Sequence, residues 1–298
     1  MTALDPTRLD FAALRETRAA HPARIAEVFA ERTRRDLIAG DGRLFIVAAD
    51  HPARGAIGVG TNGGAMADRE MLLERLAAAL SRPGVDGVLG TPDIIDDLAL
   101  LGLLDDKIVV GSMNRGGLKG ASFEMDDRYT AYDVESLVRD RLDFAKVLVR
   151  INLADAGTAD TLETTAFAVS DAAAAGVPIM LEPFMSEWVD GCIRNDLSTD
   201  AVVLSVAIAA GLGNSSSHTW LKLPVVPDME RVMAATTLPT LLLGGDPAED
   251  QDATFESWRA SLTLPGVRGL VVGRSILYPP DGDVTMAIDT AAALVHGA

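Results

Sequence analysis

Lys222 is the residue whose surroundings in the sequence best suit covalent chemistry. It lies inside 219–224, a short apolar segment typical of a buried strand, and the chain has only four lysines among its 26 basic residues. Burial disfavours the ammonium form and lowers the pKa of a lysine by up to several units. The neutral amine then becomes available to attack a carbonyl carbon, so the segment predicts a Schiff base. A lysine at a strand end, with a packed stem and a hydrated head, is the alternative.

Other candidate side chains stand on or at the end of apolar segments, where alternation sorts them by face. In segment 146–151, Lys146 and Arg150 share the even-numbered side, and the odd-numbered residues are all apolar. Successive side chains of a strand point to opposite faces, so the apolar side is expected to pack on helices and the two cations to point the other way. The same argument places the carboxylates Asp50 and Glu182 on the side of four apolar residues, which are Leu44, Ile46, Ala48 and Met180.

The elements that carry these residues form a regular series of apolar segments and helical patterns. Eight segments rich in Val, Ile and Leu are predicted strands, at 44–49, 87–90, 108–111, 146–151, 178–182, 219–224, 240–245 and 270–274. Helical periodicity predicts intervening helices that include 69–80, 162–175 and 200–210. This alternation favours parallel pairing with right-handed crossovers, and eight strands close a (β/α)8 TIM barrel. An open doubly wound sheet is the alternative, but no Gly-x-Gly-x-x-Gly turn follows the first strand.

The first 40 residues predict a helical extension ahead of the barrel. Apolar residues recur there at spacings of three and four, and His21-Pro22 separates two helices. No linker or change of composition divides the rest, so 41–298 is predicted to be one barrel domain. The extension is expected to cover a barrel end or an interface between copies, which leaves a homo-oligomer open.

Composition limits the partners and the location of the protein. The net charge of −17 argues against a nucleic-acid partner, and no segment approaches the ~18 uninterrupted apolar residues of a membrane span. Residues 1–5 lack the basic and apolar regions of a signal peptide, and the single cysteine, Cys192, fits a reducing cytosol. A cytoplasmic protein without a membrane partner is therefore expected. Its four scattered histidines do not suggest a zinc site, and no metal or other cofactor is predicted.

In a barrel of this kind, catalytic groups stand at the carboxyl ends of the strands. Lys146, Glu182 and Lys222 would lie on three neighbouring strands and face a common interior. A second cation and partial burial both lower the pKa of Lys222, and Glu182 is the first candidate to move the protons of carbinolamine formation and dehydration. Asp50 is the candidate that acts on the substrate hydroxyl. A salt-bridge network that only fills a polar barrel centre is the alternative.

Glycines near the last two strands suggest a phosphate site. Gly244 and Gly245 end the seventh segment, and Gly273 and Arg274 end the eighth, where many barrels hold phosphate on backbone N–H groups. Arg274 would add a charge-assisted contact, although glycines also stand at strand ends for turn reasons alone. Further candidates for substrate contact are Arg150, Asp155 and His51.

The order of these residues resembles the class I aldolases grouped with deoxyribose-phosphate aldolase and tagatose-1,6-bisphosphate aldolase, including the archaeal-type fructose-bisphosphate aldolases. The resemblance covers about residues 40–298 and rests on Asp50, Lys146, Glu182, Lys222 and the two glycine turns. It implies that Lys222 forms the Schiff base, that Glu182 is an acid/base residue, and that Lys146 and Asp50 line the site. The chain is also similar to an actinobacterial subgroup associated with inositol catabolism.

The sequence departs from this family pattern at two places. A tyrosine near the end of strand five is the general acid of the archaeal-type branch, and Phe184 stands at the matching place here. Glu182 or a loop residue such as Tyr129 is then expected to supply the proton. Two residues separate His51 from Arg54 where the tagatose type runs Asp-Gln-Arg, so His51 either contacts substrate or bonds the backbone at a loop start. His218, ahead of the sixth strand, is expected to be structural.

The resulting prediction is an aldehyde-lyase that cleaves a phosphorylated ketose or keto-acid sugar and releases dihydroxyacetone phosphate and an aldehyde. Three alternatives stay open: a deoxyribose-phosphate aldolase, a transferase that uses the same lysine, and a non-catalytic binder of sugar phosphates. The identity of the sugar depends on loops whose shapes the sequence does not define.

Overall fold

Eight parallel strands close into a barrel in the computed structural model, which describes residues 9–38, 40–245 and 250–297. The described residues form these eight strands and one more, β6, outside the barrel: β1 Leu44–Ala48, β2 Gly87–Gly90, β3 Ile108–Ser112, β4 Phe144–Ile151, β5 Ile179–Val189, β6 Cys192–Asn195, β7 Thr219–Pro224, β8 Thr240–Leu243 and β9 Val267–Val272. Barrel neighbours follow the order β4-β3-β2-β1-β9-β8-β7-β5, and pairing of β4 with β5 closes the ring. The predicted (β/α)8 barrel is confirmed.

Helices surround this barrel and connect its strands. They are α1 Phe11–Ala20, α2 Arg24–Glu31, α3 Arg69–Leu80, α4 Pro92–Leu100, α5 Val134–Arg139, α6 Gly157–Ala175, α7 Thr199–Ala210, α8 Met229–Ala234, α9 Gln251–Leu262, α10 Arg274–Leu277 and α11 Val284–His296. Side chains at their starts commonly accept a bond from the first turn, as Asp68 does from Met71 N–H at the start of α3. Within the described residues, no helix is long and apolar enough to cross a bilayer.

Two apolar layers confirm the side-chain alternation read from the sequence. The inner layer fills the barrel and comprises Leu44, Ile46, Ala48, Leu89, Ile108, Val110, Phe144, Met180, Leu241 and Val271. The outer layer joins the opposite faces of the strands to the helices and includes Val147, Val149 and Ile151 of β4. The polar residues on the inner face of the strands therefore lie above this layer, toward the carboxyl ends of the strands.

The chain ahead of β1 is only partly helical, with α1 against α3 and α4 and the segment after α2 at the amino-terminal end of the barrel. Helix α2 ends at Glu31, and residues 32–36 form no helix or strand. Arg32 Nη2 lies 3.1 Å from Asp143 Oδ2, and Arg35 Nη1 lies 2.6 Å from Asp86 Oδ1, which ties this segment to the chain just before β4 and β2. Leu37 packs against the inner layer. The predicted helical extension of 1–40 is therefore wrong beyond Glu31, while residues 1–8 and 39 lie outside the described parts.

A hairpin beyond the barrel is the feature that the sequence analysis missed. Strand β5 continues past the predicted end at Glu182 to Val189 and pairs antiparallel with β6. Trp188 Nε1 donates to Asp155 Oδ2 at 3.2 Å, which links the hairpin to the segment between β4 and α6. The hairpin raises one wall above the carboxyl end of the barrel.

Candidate active site

A cavity of about 570 Å³ opens at the carboxyl ends of the strands. Its lining includes Lys222, Glu182, His51, Arg115, Phe184 and Arg274, together with Ile193 and Asn195 of the hairpin. This is the end of a (β/α)8 barrel at which ligands and catalytic groups are found.

Lys222 is the lysine of this cavity. Its side chain is 4% exposed, and its Nζ lies 2.9 Å from Glu182 Oε1. Burial lowers the pKa of Lys222, the carboxylate of Glu182 opposes that shift, and the guanidinium groups of Arg115 and Arg274 add to it. The amine therefore deprotonates more readily than an ordinary lysine, as a Schiff-base nucleophile requires.

Glu182 holds a lysine on each of its two oxygens. Strand register places Met180 beside Trp220, so Glu182 and Lys222 stand at the same level of the barrel two residues farther along. Lys146 pairs with Met180, one layer below, and its Nζ contacts Glu182 Oε2. Burial alone would raise the pKa of Glu182, but Lys146, Lys222 and Arg115 together outweigh it and lower that pKa. The carboxyl group is therefore ionised.

Lys146 and Asp50 form the closed base of the site. Lys146 Nζ lies 3.3 Å from Asp50 Oδ2, and both side chains are fully buried. Burial and the nearby Arg115 guanidinium lower the pKa of Lys146 far below that of a free lysine. Asp50 Oδ2 also accepts a hydrogen bond from Ser112 at 3.2 Å and pairs with Arg115. Neither Lys146 nor Asp50 lines the cavity, so they act from behind Glu182.

His51 extends from the end of β1 into the cavity with 19% of its side chain exposed. Its Nδ1 lies 3.7 Å from Asp50 Oδ1, and both atoms are buried without a hydrogen-bond partner among the described residues. Burial and the positive charges of Arg274, Lys222 and Arg54 lower the pKa of His51 well below its usual value, against a smaller effect of Glu182. The imidazole is therefore neutral at pH 7.

Arg150 reaches the cavity wall, but its donors are used inside the protein. Its Nε donates to Asp127 Oδ2 at 3.0 Å and its Nη2 to Asp127 Oδ1 at 2.6 Å, while Nη1 lies 3.5 Å from Glu124 Oε1. Nη2 also donates to the carbonyl of Gly117. These bonds anchor the loop between β3 and α5 over the barrel. Arg150 therefore holds this loop in place.

Asp155 lies outside the cavity lining. Its Oδ1 accepts a hydrogen bond from Gly157 N–H at 2.9 Å near the start of α6, and its Oδ2 accepts from Trp188. The structure therefore does not bring Asp155 together with Lys222 and Glu182, and its contacts position the hairpin.

The predicted phosphate-binding glycines line the cavity together with Arg274. A Cβ on Gly273 would stand 2.2 Å from the carbonyl oxygen of Ala48, so β1 and β9 approach too closely there for a side chain. Gly245 has a φ of +67°, a left-handed conformation that glycine adopts readily. These positions have structural reasons to be glycine, and they also leave the backbone open toward the cavity.

Phe184 lines the cavity, and Tyr129, the loop residue expected as an alternative proton donor, does not. The Tyr129 hydroxyl donates to Thr165 Oγ1 of α6 at 3.3 Å, and burial raises the pKa of that hydroxyl. Tyr129 therefore faces the helical layer and is excluded as the acid of this cavity. The interpretation of His218 as structural agrees with its place before β7, where its carbonyl accepts from Ile179 N–H.

Arg115 is a functional residue that sequence reasoning missed. It is 6% exposed, lines the cavity and pairs with Asp50. Burial lowers its pKa to about 10, against the attraction of Glu182. It lies in a loop without periodicity, so side-chain alternation could not identify it. The available indication of a place at the site was its position three residues after Ser112, at the carboxyl end of β3.

Two comparisons concern the chain over nearly its whole length. The family model described as Cgl0159-like matches residues 42–292. The crystal structure of Cgl0159 from Corynebacterium glutamicum has 72% sequence identity, covers 96% of this chain and 97% of its own, and superposes with a TM-score of 0.95. No curated protein matches the sequence.

Two solved aldolases share the fold at low identity. One is an archaeal fructose-1,6-bisphosphate aldolase whose catalytic lysine is covalently bound to the carbinolamine intermediate of its substrate, with 20% identity, a TM-score of 0.66, and coverage of 92% of this chain and 100% of its own. The other is the fructose-bisphosphate aldolase of Slackia heliotrinireducens, with 16% identity, a TM-score of 0.60, and coverage of 99% and 96%. At these identities the likeness establishes a common barrel.

Proposed function

The chain belongs to the Cgl0159-like family, and from the chemistry of its cavity we propose that it is a class I aldolase. In this proposal Lys222 forms a Schiff base with a phosphorylated ketose or keto-acid sugar, and cleavage releases dihydroxyacetone phosphate and an aldehyde. The inositol-catabolism-associated subgroup of actinobacteria is the branch to which we assign it.

The observation that carries the proposal is the difference between the two buried lysines. Lys222 lines the cavity, and among the described residues its ion-pair partner is Glu182. Lys146 is fully buried, does not line the cavity, and contacts both Asp50 and Glu182. A substrate carbonyl in the cavity therefore meets the Lys222 amine, and Lys146 acts as a fixed neighbour.

The reaction begins when the neutral amine of Lys222 attacks the substrate carbonyl and forms a carbinolamine. Glu182 Oε1 lies beside the same nitrogen and is placed to take the proton that the nitrogen loses and to return a proton to the departing hydroxyl. Loss of water gives an iminium ion. Its positive nitrogen accepts the electron pair of the carbon–carbon bond when the hydroxyl on the far carbon of that bond is deprotonated, which releases the aldehyde and leaves a neutral enamine. Protonation of the enamine carbon restores the iminium ion, and hydrolysis of that ion then releases the ketone.

A phosphate group on the substrate is supported by charge. The protein carries a net charge of −17, yet the cavity is lined by Arg54, Arg115, Arg274 and Lys222. An acidic protein that gathers cations in one concave site is suited to an anionic ligand. Gly245 and Gly273 line the cavity together with Arg274, and backbone N–H groups at such glycines can bind phosphate, so we assign the phosphate to that wall.

Aldol cleavage tests this function directly. Phosphorylated ketoses and 2-deoxyribose 5-phosphate are supplied in turn, and the released aldehyde or dihydroxyacetone phosphate is followed with a coupled dehydrogenase. We expect turnover of a ketose phosphate and a loss of about 10³-fold or more in Lys222→Met, with Lys119→Met, an exposed lysine, as the matched control. Full activity of Lys222→Met would refute the proposal, and selective cleavage of the deoxyribose phosphate would move the substrate to that branch.

A further inference from the structure

The proposed cleavage needs a group that removes the substrate hydroxyl proton, and no tyrosine of this chain is placed to do so. The sequence contains three tyrosines, all within the described residues. Tyr129 donates to Thr165, Tyr132 is 5% exposed within the outer apolar layer, and Tyr278 lies under the guanidinium of Arg75 at 4.5 Å. None of them lines the cavity.

The carboxylates at the site are also committed elsewhere. Glu124 lines the cavity, but its Oε1 pairs with Arg54 and Arg150 and its Oε2 accepts from Gly120 N–H. Glu182 has a lysine on each oxygen and stands at the Lys222 nitrogen. Asp50 is fully buried, and its Oδ2 receives Arg115, Lys146 and Ser112. It does not line the cavity, so it cannot contact a substrate hydroxyl directly.

His51 lines the cavity and has the geometry that the missing group requires. Its Nδ1 faces Asp50 Oδ1 at 3.7 Å, and each of these buried atoms lacks a hydrogen-bond partner in the described parts of the chain. Catalytic hydrogen bonds are often long without substrate and shorten on binding. A small rotation of the ring would join Nδ1–H to the carboxylate and fix the tautomer in which Nε2 is the base.

We propose that His51 is the catalytic acid/base for carbon–carbon cleavage and that Asp50 is its positioning residue. This inference rests on the proposed Schiff-base function. His51 Nε2 takes the hydroxyl proton, the oxygen becomes the aldehyde carbonyl, and the electron pair of the broken bond passes to the iminium nitrogen and leaves a neutral enamine. The same proton then returns from His51 to the enamine carbon, which restores the iminium ion for hydrolysis by water.

The surroundings of His51 keep its imidazole in the unprotonated form that can accept a proton. Among the described residues, it is faced by Asp50 beside it in the chain, Arg54 in the following turn, Glu182 of β5, Lys222 of β7 and Arg274 of α10. Burial lowers the pKa of His51, and Arg274, Lys222 and Arg54 add to that effect against Glu182, so the imidazole is unprotonated when substrate binds. The proton stays on His51 while the neutral enamine forms. The imidazolium can then deliver that proton to the enamine carbon.

Hydrogen exchange into the three-carbon ketone isolates this step from the identity of the sugar. Dihydroxyacetone phosphate is incubated with the protein in D2O, and deuterium uptake at the carbon next to the carbonyl is followed by proton NMR. In parallel, borohydride traps the Schiff base and peptide mass spectrometry locates it. The variants are His51→Asn and His51→Gln, with His218→Asn as the control. Each is first checked for an unfolding transition like that of the wild type. Acetaldehyde is the second probe in the trapping experiment.

We expect both His51 variants to keep the adduct on Lys222 while exchange falls by about 10²–10⁴-fold, and His218→Asn to match the wild type. The wild-type exchange rate should rise with pH through the His51 titration, and a folded variant should lose that limb. Exchange at the wild-type rate in a folded His51 variant that still forms the adduct would overturn this inference alone. Loss of the adduct in both folded variants, or a wild-type adduct without exchange, would also overturn it. A wild-type protein that gives no adduct with either probe would overturn the proposed function and this inference with it.

Discussion

Lys222 Nζ lies 2.9 Å from Glu182 Oε1, and the other oxygen of the same carboxylate contacts Lys146. One carboxylate therefore separates the two buried amines and keeps an accepting oxygen beside the amine that lines the cavity. Formation and dehydration of a carbinolamine require protons to leave and reach the atoms bonded to that carbon. Glu182 is placed for these steps, which occur before the carbon–carbon bond breaks.

Glu182→Gln tests whether Glu182 transfers the protons of carbinolamine formation and dehydration. The variant keeps the shape of the side chain but cannot take a proton, so we expect Schiff-base formation with dihydroxyacetone phosphate to slow by about 10²–10⁴-fold. Rapid quenching with borohydride measures this rate. Glu187→Gln, an exposed glutamate of β5, is the control. Adduct formation by Glu182→Gln at the wild-type rate would show that another group moves these protons.

Arg274→Gln should change both substrate affinity and pH dependence. Loss of a charge-assisted contact to phosphate is worth about 1.5–3 kcal/mol, so we expect KM to rise by about 10- to 100-fold. Arg274 also lowers the pKa of Lys222, and its removal raises that pKa. Because the amine reacts when deprotonated, the rising limb of the pH profile should move to higher pH.

Arg268→Gln is the matched control for that experiment, since Arg268 is an exposed residue of β9 far from the carboxyl end of the strand. An unchanged KM in Arg274→Gln would place the phosphate elsewhere. A rising limb that moves to lower pH would contradict the assigned effect of Arg274 on Lys222.

Strand alternation made the centre of the site predictable from the sequence. An apolar odd-numbered face on β4 had to meet the helices, which turned Lys146 inward, and the same phase placed Asp50 and Glu182. Once parallel order brought β4, β5 and β7 together, these side chains had to meet Lys222. The eight barrel strands were also predictable, because each is a short apolar segment between helical patterns.

The contacts made by loops were not predictable in this way. Arg150 faces inward as expected, but its partners Asp127 and Glu124 come from a long loop whose path has no periodicity. Arg115 reaches Asp50 from the same loop. The segment after α2 has few helix-breaking residues, and its extended form depends on tertiary ion pairs such as that of Arg32 with Asp143. Local propensity does not encode such contacts.

Gly273→Ala should destabilise the barrel where the ends of β1 and β9 meet. The added Cβ would stand 2.2 Å from the Ala48 carbonyl oxygen, which belongs to backbone and cannot move aside easily. We expect a loss of about 1–3 kcal/mol in the free energy of unfolding, measured by urea denaturation. In Gly245→Ala the new Cβ would meet no heavy atom of the described residues within 4 Å, so this variant should lose only the ~1 kcal/mol typical of a left-handed backbone. Equal stability of Gly273→Ala and the wild type would contradict the close approach of β1 and β9.

His296 should stabilise the fold at neutral pH and lose that effect at alkaline pH. Hydrogen bonds to Asp86 and Asp41 raise its pKa from 6.5 to about 9, although partial burial opposes them. A raised folded-state pKa gives stabilisation that is complete below pH 6.5 and is lost as the pH rises through about 9. Allowing for solvent screening of a half-buried group, we expect about 1–2 kcal/mol.

Thermal unfolding of the wild type and His296→Gln between pH 6 and pH 9.5 checks this expectation. The difference between the two proteins should be largest at the acidic end and shrink as the pH rises. The exposed His21 supplies the control variant His21→Gln. A difference that grows with pH would have the wrong sign for the assigned pairing.

Borohydride trapping tests the central claim most directly. The protein is incubated with dihydroxyacetone phosphate, reduced and digested, and the modified peptide is sequenced by mass spectrometry. We predict one adduct, on Lys222, which is absent in Lys222→Met and retained in Lys119→Met. An adduct confined to another lysine, or none with either dihydroxyacetone phosphate or acetaldehyde, would contradict the assignment of Lys222 as the Schiff-base nucleophile.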